Sequence, residues 1–159
     1  MTQSTALSAA SNIRHQPPDV KLPRPAAPRV IVLVSRLDRA SLAALAYARS
    51  IAATVTAVHV ADDPAKDERL RQSWQLLGID GDSDLVMVER VHRDLVPSLV
   101  SYLDAEQGRD PERPMTVVIP EIVPRSAWGY LLHNHVSLWL KLRLFLRPNT
   151  VVVNVPFRV

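Results

Sequence analysis

Five short runs rich in β-branched residues recur along the chain: RVIVLV (Arg29 to Val34), TVTAVHV (Thr54 to Val60), DLVMVERV (Asp84 to Val91), MTVVIP (Met115 to Pro120) and TVVVNVP (Thr150 to Pro156). Runs this short and this continuously apolar suit strands buried on both faces. The segments between them have helix length and helix punctuation. RASLAALAYARSIAA is rich in alanine and leucine, with Ser35 or Asp38 in position to cap it. In ADDPAKDERLRQSWQLLG, Asp63 caps, Pro64 takes the first helical position, Asp67 and Glu68 face the positive dipole end, and Gly78 closes the helix. Leu70, Trp74 and Leu77 supply its buried stripe. RDLVPSLVSYLDAEQG has Asp94 as cap and Pro97 in its first turn, with Val96, Leu99, Val100 and Leu103 at helical spacing. Strands alternating with helices predict an α/β fold: a five-stranded parallel sheet joined by right-handed crossovers, with helices on both faces in three layers.

The folded part is expected to span residues 29 to 159. Residues 1 to 28 hold five of the thirteen prolines and little apolar periodicity, which reads as a disordered tail or linker. A chain of 159 residues can bury a single core. No apolar run approaches the roughly 18 residues that a bilayer span needs. The opening MTQSTALSAASNIRHQ lacks the basic start and apolar stretch of a secretory signal. With no cysteine, disulfides and thiolate metal sites are excluded, in keeping with a cytoplasmic chain. The net charge of +3 is a mild basic excess, suited to a solvated surface or to the neighbourhood of anionic lipid, at the inner face of the membrane, or of nucleotide phosphates.

HVSLWLKLRLFLRPNTVVVNVP is the ambiguous stretch. From Leu138 to Leu146 every second residue is leucine, the alternation of a half-buried strand. Parallel fourth and fifth strands nevertheless need a crossover, and a helix from about Ser126 to Arg147, ended by Pro148, supplies it. On that helix Leu131, Leu132, Leu138, Trp139, Leu142, Phe145 and Leu146 share one face, read as the core side. Val136, Leu140 and Leu144 are then surplus, and they predict a contact surface for a second copy or a transporter, rimmed by Lys141, Arg143 and Arg147.

No catalytic constellation stands out, and the chain reads as a non-enzyme. There is no G-x-S-x-G elbow and neither a GxGxxG nor a GxxxxGK[ST] loop; the chain has only four glycines. His133 and His135 point about 200° apart on a helix, so no metal site is expected. His59, inside an apolar strand, reads as a satisfied buried imidazole. Open parallel sheets take ligands at the carboxyl ends of their strands, which here means Ser35, Arg36 and Leu37, then Ala61 and Asp62, then Pro120 to Arg125. Arg36, Arg39 and Arg125 are positioned to converge on an anion near a helix N-terminus.

VSRLDRASLAALAYARSIAATVTAVHV resembles the first strand, helix and second strand of universal stress protein domains, including AYA in the helix and HV in the strand. Arg36 stands where that family usually places an acidic residue against adenine, and PEIVPRSAWGYLLHN replaces its Gly-x2-Gly-x9-Gly-Ser/Thr phosphate loop. Thr116 to Val159 is similar to the end of the cytosolic C-terminal domain of bacterial APC-superfamily amino acid permeases and related potassium transporters. The proline-glutamate after strand four, LLHN, the leucine-basic helix and RPNTVVV carry that likeness, although one tryptophan of the aromatic pair is missing and His135 stands where glutamine is common. The resemblance implies a universal-stress-like regulatory domain, paired as a homodimer and tethered below a transmembrane bundle, with no DNA or RNA partner. Some of these transporters respond to cyclic di-AMP. Cyclic di-AMP, ATP or AMP is the implied ligand, with Ser35, Arg36, Arg39, Asp62, Glu121 and Arg125 as its candidate residues. The alternative is a ligand-free dimerisation or docking module of the same fold.

Overall fold

A computed structural model describes residues 26–79, 81, 83–90, 94–123 and 135–158. The first 25 residues of the expected linker lie outside these. The elements run β1 (Arg29–Leu33), α1 (Arg39–Ile51), β2 (Val55–Val60), α2 (Pro64–Leu76), β3 (Ser83–Val88), α3 (Leu95–Arg109), β4 (Met115–Val123), α4 (His135–Phe145) and β5 (Thr150–Arg158). All five strands are parallel, in the order β3-β2-β1-β4-β5. The expected three-layer α/β architecture is therefore present.

Strand alternation divides the core in two. Val30, Val32 and Val34 of the first strand segment point to one face with Val55, Ala57 and Val118, and they meet α1 and α2 there. Ile31, Val58, Val60, Val117 and Ile119 point to the other face, where α3 and α4 cover them. Ala40, Ala44 and Ala48 are buried on α1, and these small side chains let the helix axis lie close to the sheet. Asp38 caps this helix by accepting the Ser41 amide, and Asp63 caps α2 by accepting the amides of Ala65 and Lys66. Asp94 precedes α3 as expected, but its side chain makes no capping bond. Gly78 ends α2 with φ of +58°, a left-handed conformation that favours glycine. Leu77 does not join the buried stripe: it lies at the C-cap and is exposed.

The ambiguous segment is helical, and its faces are the reverse of the expectation. Leu140 and Leu144, read from sequence as an external contact surface, are buried at 7% and 0% exposure in the α3–α4 core. Trp139, Leu142, Phe145 and Leu146, read as core, face outward at 63%, 48%, 80% and 73% exposure. The side chain of Val136 lies outside the described residues. Two polar contacts accompany this phase. Lys141 Nζ reaches Glu121 Oε1 on β4 at 2.9 Å, and the Arg147 guanidinium reaches Asp104 on α3. Arg147 lies about 20° from Leu140 on the wheel, and Lys141 lies about 60° from Leu144, at the flank of the buried side. Rotating the larger side chains inward would break both ion pairs. The turn after the helix passes through Asn149, whose φ of +54° is tolerated by asparagine. Its side-chain amide donates to the carbonyls of Pro111 and Glu112.

This orientation predicts opposite outcomes for adjacent residues. Leu144→Ala should cost ~2–5 kcal/mol in urea unfolding, while Phe145→Ala should stay within about 0.5 kcal/mol. The reverse ranking would mean that the helix packs through its other face.

Candidate functional site

In a sheet ordered 3-2-1-4-5, the direction of winding reverses between β1 and β4, so the crossovers leave a gap at the carboxyl ends of those strands. A crevice of about 1000 Å³ lies there, over the carboxyl edge of the sheet. Its floor is apolar, with Leu33, Val58, Val60, Leu99 and Ile119. Its rim is charged.

Four carboxylates line the crevice, and each meets a basic side chain. Asp38 takes Arg36 Nε at 2.6 Å; Asp62 takes Arg90 at 2.7 Å; Glu121 takes Lys141 at 2.9 Å; Asp67 takes His59 Nε2 at 2.9 Å. The first pair is at the surface, with the Arg36 side chain 70% exposed. The Asp38 carboxyl is nonetheless held below its ordinary value of 3.8: partial burial raises it, but the Ser41 amide, the Ser41 hydroxyl and the Arg36 guanidinium outweigh that. Glu121 and Lys141 are more enclosed.

The His59–Asp67 pair is the buried member of this set. His59 Nδ1 lies 2.8 Å from the Val34 carbonyl oxygen, which can only accept, so Nδ1 donates. With Nε2 directed at a carboxylate, the ring is fully satisfied when it carries both protons. Asp67 also faces the Asp62 amide at 3.4 Å. Burial raises the Asp67 carboxyl, but the hydrogen bonds from His59 and the Asp62 amide, together with the His59 charge, bring it below the ordinary 3.8. The ring thus ties the end of β1, β2 and the first turn of α2 together. The sequence reading of His59 as a satisfied buried imidazole holds.

The candidate residues divide into three groups. Ser35, Arg36, Asp62 and Glu121 line the crevice. Arg39 is exposed as the first residue of α1 and is not part of the crevice wall, so the expected convergence of Arg36 and Arg39 is absent. Arg125 lies outside the described residues, as does His133. Three crevice residues escaped the sequence reading: Lys66 and Arg69 on α2, and Asp67 as the partner of His59. Asp67 had a signal, because it precedes Leu70 and Trp74 at i, i+3 and i+7 on the buried stripe. Among the described residues no cluster of metal-ligating side chains occurs.

The sequence profile of the KimA potassium transporter C-terminal domain matches residues 26–157, the whole of the folded region but its last residues. The chain belongs to this family. It is a transporter-associated family and not an enzyme family. The chain is also 25% identical over 130 residues to the potassium transporter KimA of Bacillus subtilis (strain 168), which takes in 80% of this chain and 21% of that protein. It therefore spans about a fifth of that relative's length. No helix among the described residues is long and apolar enough to cross a membrane.

Two consequences for the domain's stability follow from the buried pair. Asp67→Ala removes the buried partner of His59 Nε2 and should cost roughly 1–3 kcal/mol. Because the Asp67 carboxyl sits below its ordinary value when folded, the unfolded chain takes up the proton first as pH falls. Its stabilisation is therefore complete above that ordinary value and is lost through the depressed one. Urea midpoints measured from about pH 5 down to about pH 2 should fall steeply, and Asp67→Asn should flatten that acid limb.

Proposed function

We propose that this domain regulates a potassium transporter from the cytoplasmic side by taking a nucleotide, cyclic di-AMP foremost, into the crevice between β1 and β4. The observation that carries the reading is the crevice itself: an apolar floor broad enough for a base, ringed by cations already held at short range by carboxylates. Arg36, Lys66 and Arg69 are the exposed cations on its wall, suited to phosphate oxygens. An entering phosphate would compete with Asp38 for Arg36, the most accessible of the four pairs. It would also approach Glu121, whose bond to Lys141 joins the end of β4 to α4, so occupancy has a route to the helix. The domain pairs with a second copy in this reading. The feature that favours pairing is β5, a nine-residue edge strand bonded to β4 on one side.

Calorimetric titration with ATP, ADP, AMP and cyclic di-AMP tests the ligand. Cyclic di-AMP should give saturable heat, and Arg36→Ala should weaken it by about 10-fold or more, as expected for loss of a charge-assisted hydrogen bond of ~1.5–3 kcal/mol. Silence with all four nucleotides would leave the ligand-free docking module as the function. Pairing is read separately by sedimentation over a range of protein concentrations. A dimer is expected, and a monomer at every concentration would remove that part.

A further inference from the structure

The outward face of α4 carries a second message. Trp139, Leu142, Phe145 and Leu146 form one exposed stripe of large apolar side chains along the helix, unlike the other helices among the described residues. Isolated exposed leucines need no explanation, but two aromatics and two leucines on one helical face do. The helix has no acidic residue, and neither has β5 behind it. The asymmetry extends to the whole end of the chain: beyond Glu121, the last 38 residues hold Arg125, Lys141, Arg143, Arg147 and Arg158 and no aspartate or glutamate. Residues 1–121 hold fourteen cations against sixteen acids, so the entire positive excess of the chain resides in this final segment.

Two of those cations are spent internally, Lys141 on Glu121 and Arg147 on Asp104. Arg143 and Arg158 are exposed and form no ion pair among the described residues. Arg143 lies about 40° from Trp139 and about 60° from Leu146 on the helical wheel, at the border of the apolar stripe. Apolar and aromatic side chains bordered by arginine and free of acids match the interfacial layer of an anionic bilayer, where the rings sit among headgroups and the guanidinium meets lipid phosphate. A second copy fits this face poorly. A two-fold pairing of α4 on α4 would set Arg143 near its own symmetry mate, with no carboxylate on either helix to answer it.

We infer that the outer face of α4 docks on the surface of an anionic lipid bilayer, with Trp139, Leu142, Phe145 and Leu146 entering the headgroup layer and Arg143 at its border. This contact is distinct from the nucleotide crevice and from pairing through β5, and it requires neither.

Co-sedimentation of the 159-residue chain with vesicles of phosphatidylcholine alone, and of phosphatidylcholine mixed with phosphatidylglycerol, tests it without nucleotide. The chain should partition onto the mixed vesicles, and tryptophan emission should shift to the blue as the Trp139 ring leaves water, a shift that Trp139→Ser removes. Arg143→Glu should weaken partitioning by at least about fivefold, as should raised salt. Trp139→Ser combined with Phe145→Ser should abolish it while circular dichroism and the unfolding midpoint stay unchanged, since neither side chain is in the core. The inference is overturned if neither vesicle is bound, if neutral and anionic vesicles are bound alike, or if the double variant instead converts a lipid-free dimer into a monomer. That last result would assign the face to a second copy.

Discussion

The carbonyl of Val34 lies one residue beyond the end of β1, at the buried carboxyl edge of the sheet. Its buried residue, 3% exposed, would leave that oxygen costly to desolvate. His59 meets it from β2, and Asp67 of α2 meets the other side of the ring. One imidazole thus holds the carboxyl ends of two strands and the beginning of a helix in fixed relation. Those three elements form one wall of the crevice. The polar chemistry at the rim therefore rests on the buried His59–Asp67 hydrogen bond beneath it, which keeps Ser35, Arg36 and Asp62 at their places on the loops above.

From that wall the rest follows by connectivity. The chain leaves β1 toward β2 and β3, then crosses back so that β4 lies on the other side of β1. The reversal opens the crevice, and β4 runs on past the end of β1 to bring Glu121 to its edge. Lys141 then fastens α4 to that edge, while Arg147 fastens its far end to α3. These contacts accompany a helix phase with Leu140 and Leu144 inward. The bulkier stripe is left facing out, an arrangement that hydrophobic burial by itself would not select.

Legibility differed between backbone pattern and side-chain pairing. The five strands could be read because a sheet covered on both faces demands continuous apolar runs, and RVIVLV or MTVVIP have few other uses. The caps at Asp38 and Asp63 were readable because they act within three residues. Arg39 misled because its proximity to Arg36 in sequence says nothing about direction once a helix begins. The pairs Asp62–Arg90 and Glu121–Lys141 join residues 28 and 20 positions apart, and no local pattern encodes them. On α4, leucine at nearly every second position makes two faces of the wheel equally apolar, so periodicity could not decide between them.

The sequence alone thus determined the strand and helix alternation, the parallel layering and the helical character of the last crossover, because each depends on short-range periodicity and on the reach of the chain. Only the tertiary structure decided which face of α4 is buried, which cations keep carboxylate partners, and which candidate residues share the crevice. Those outcomes depend on charges brought together from distant positions. Glu121 and Asp104 meet Lys141 and Arg147 only once β4 and α3 are in place, and leucine at nearly every second position of α4 leaves its own periodicity unable to choose the buried face.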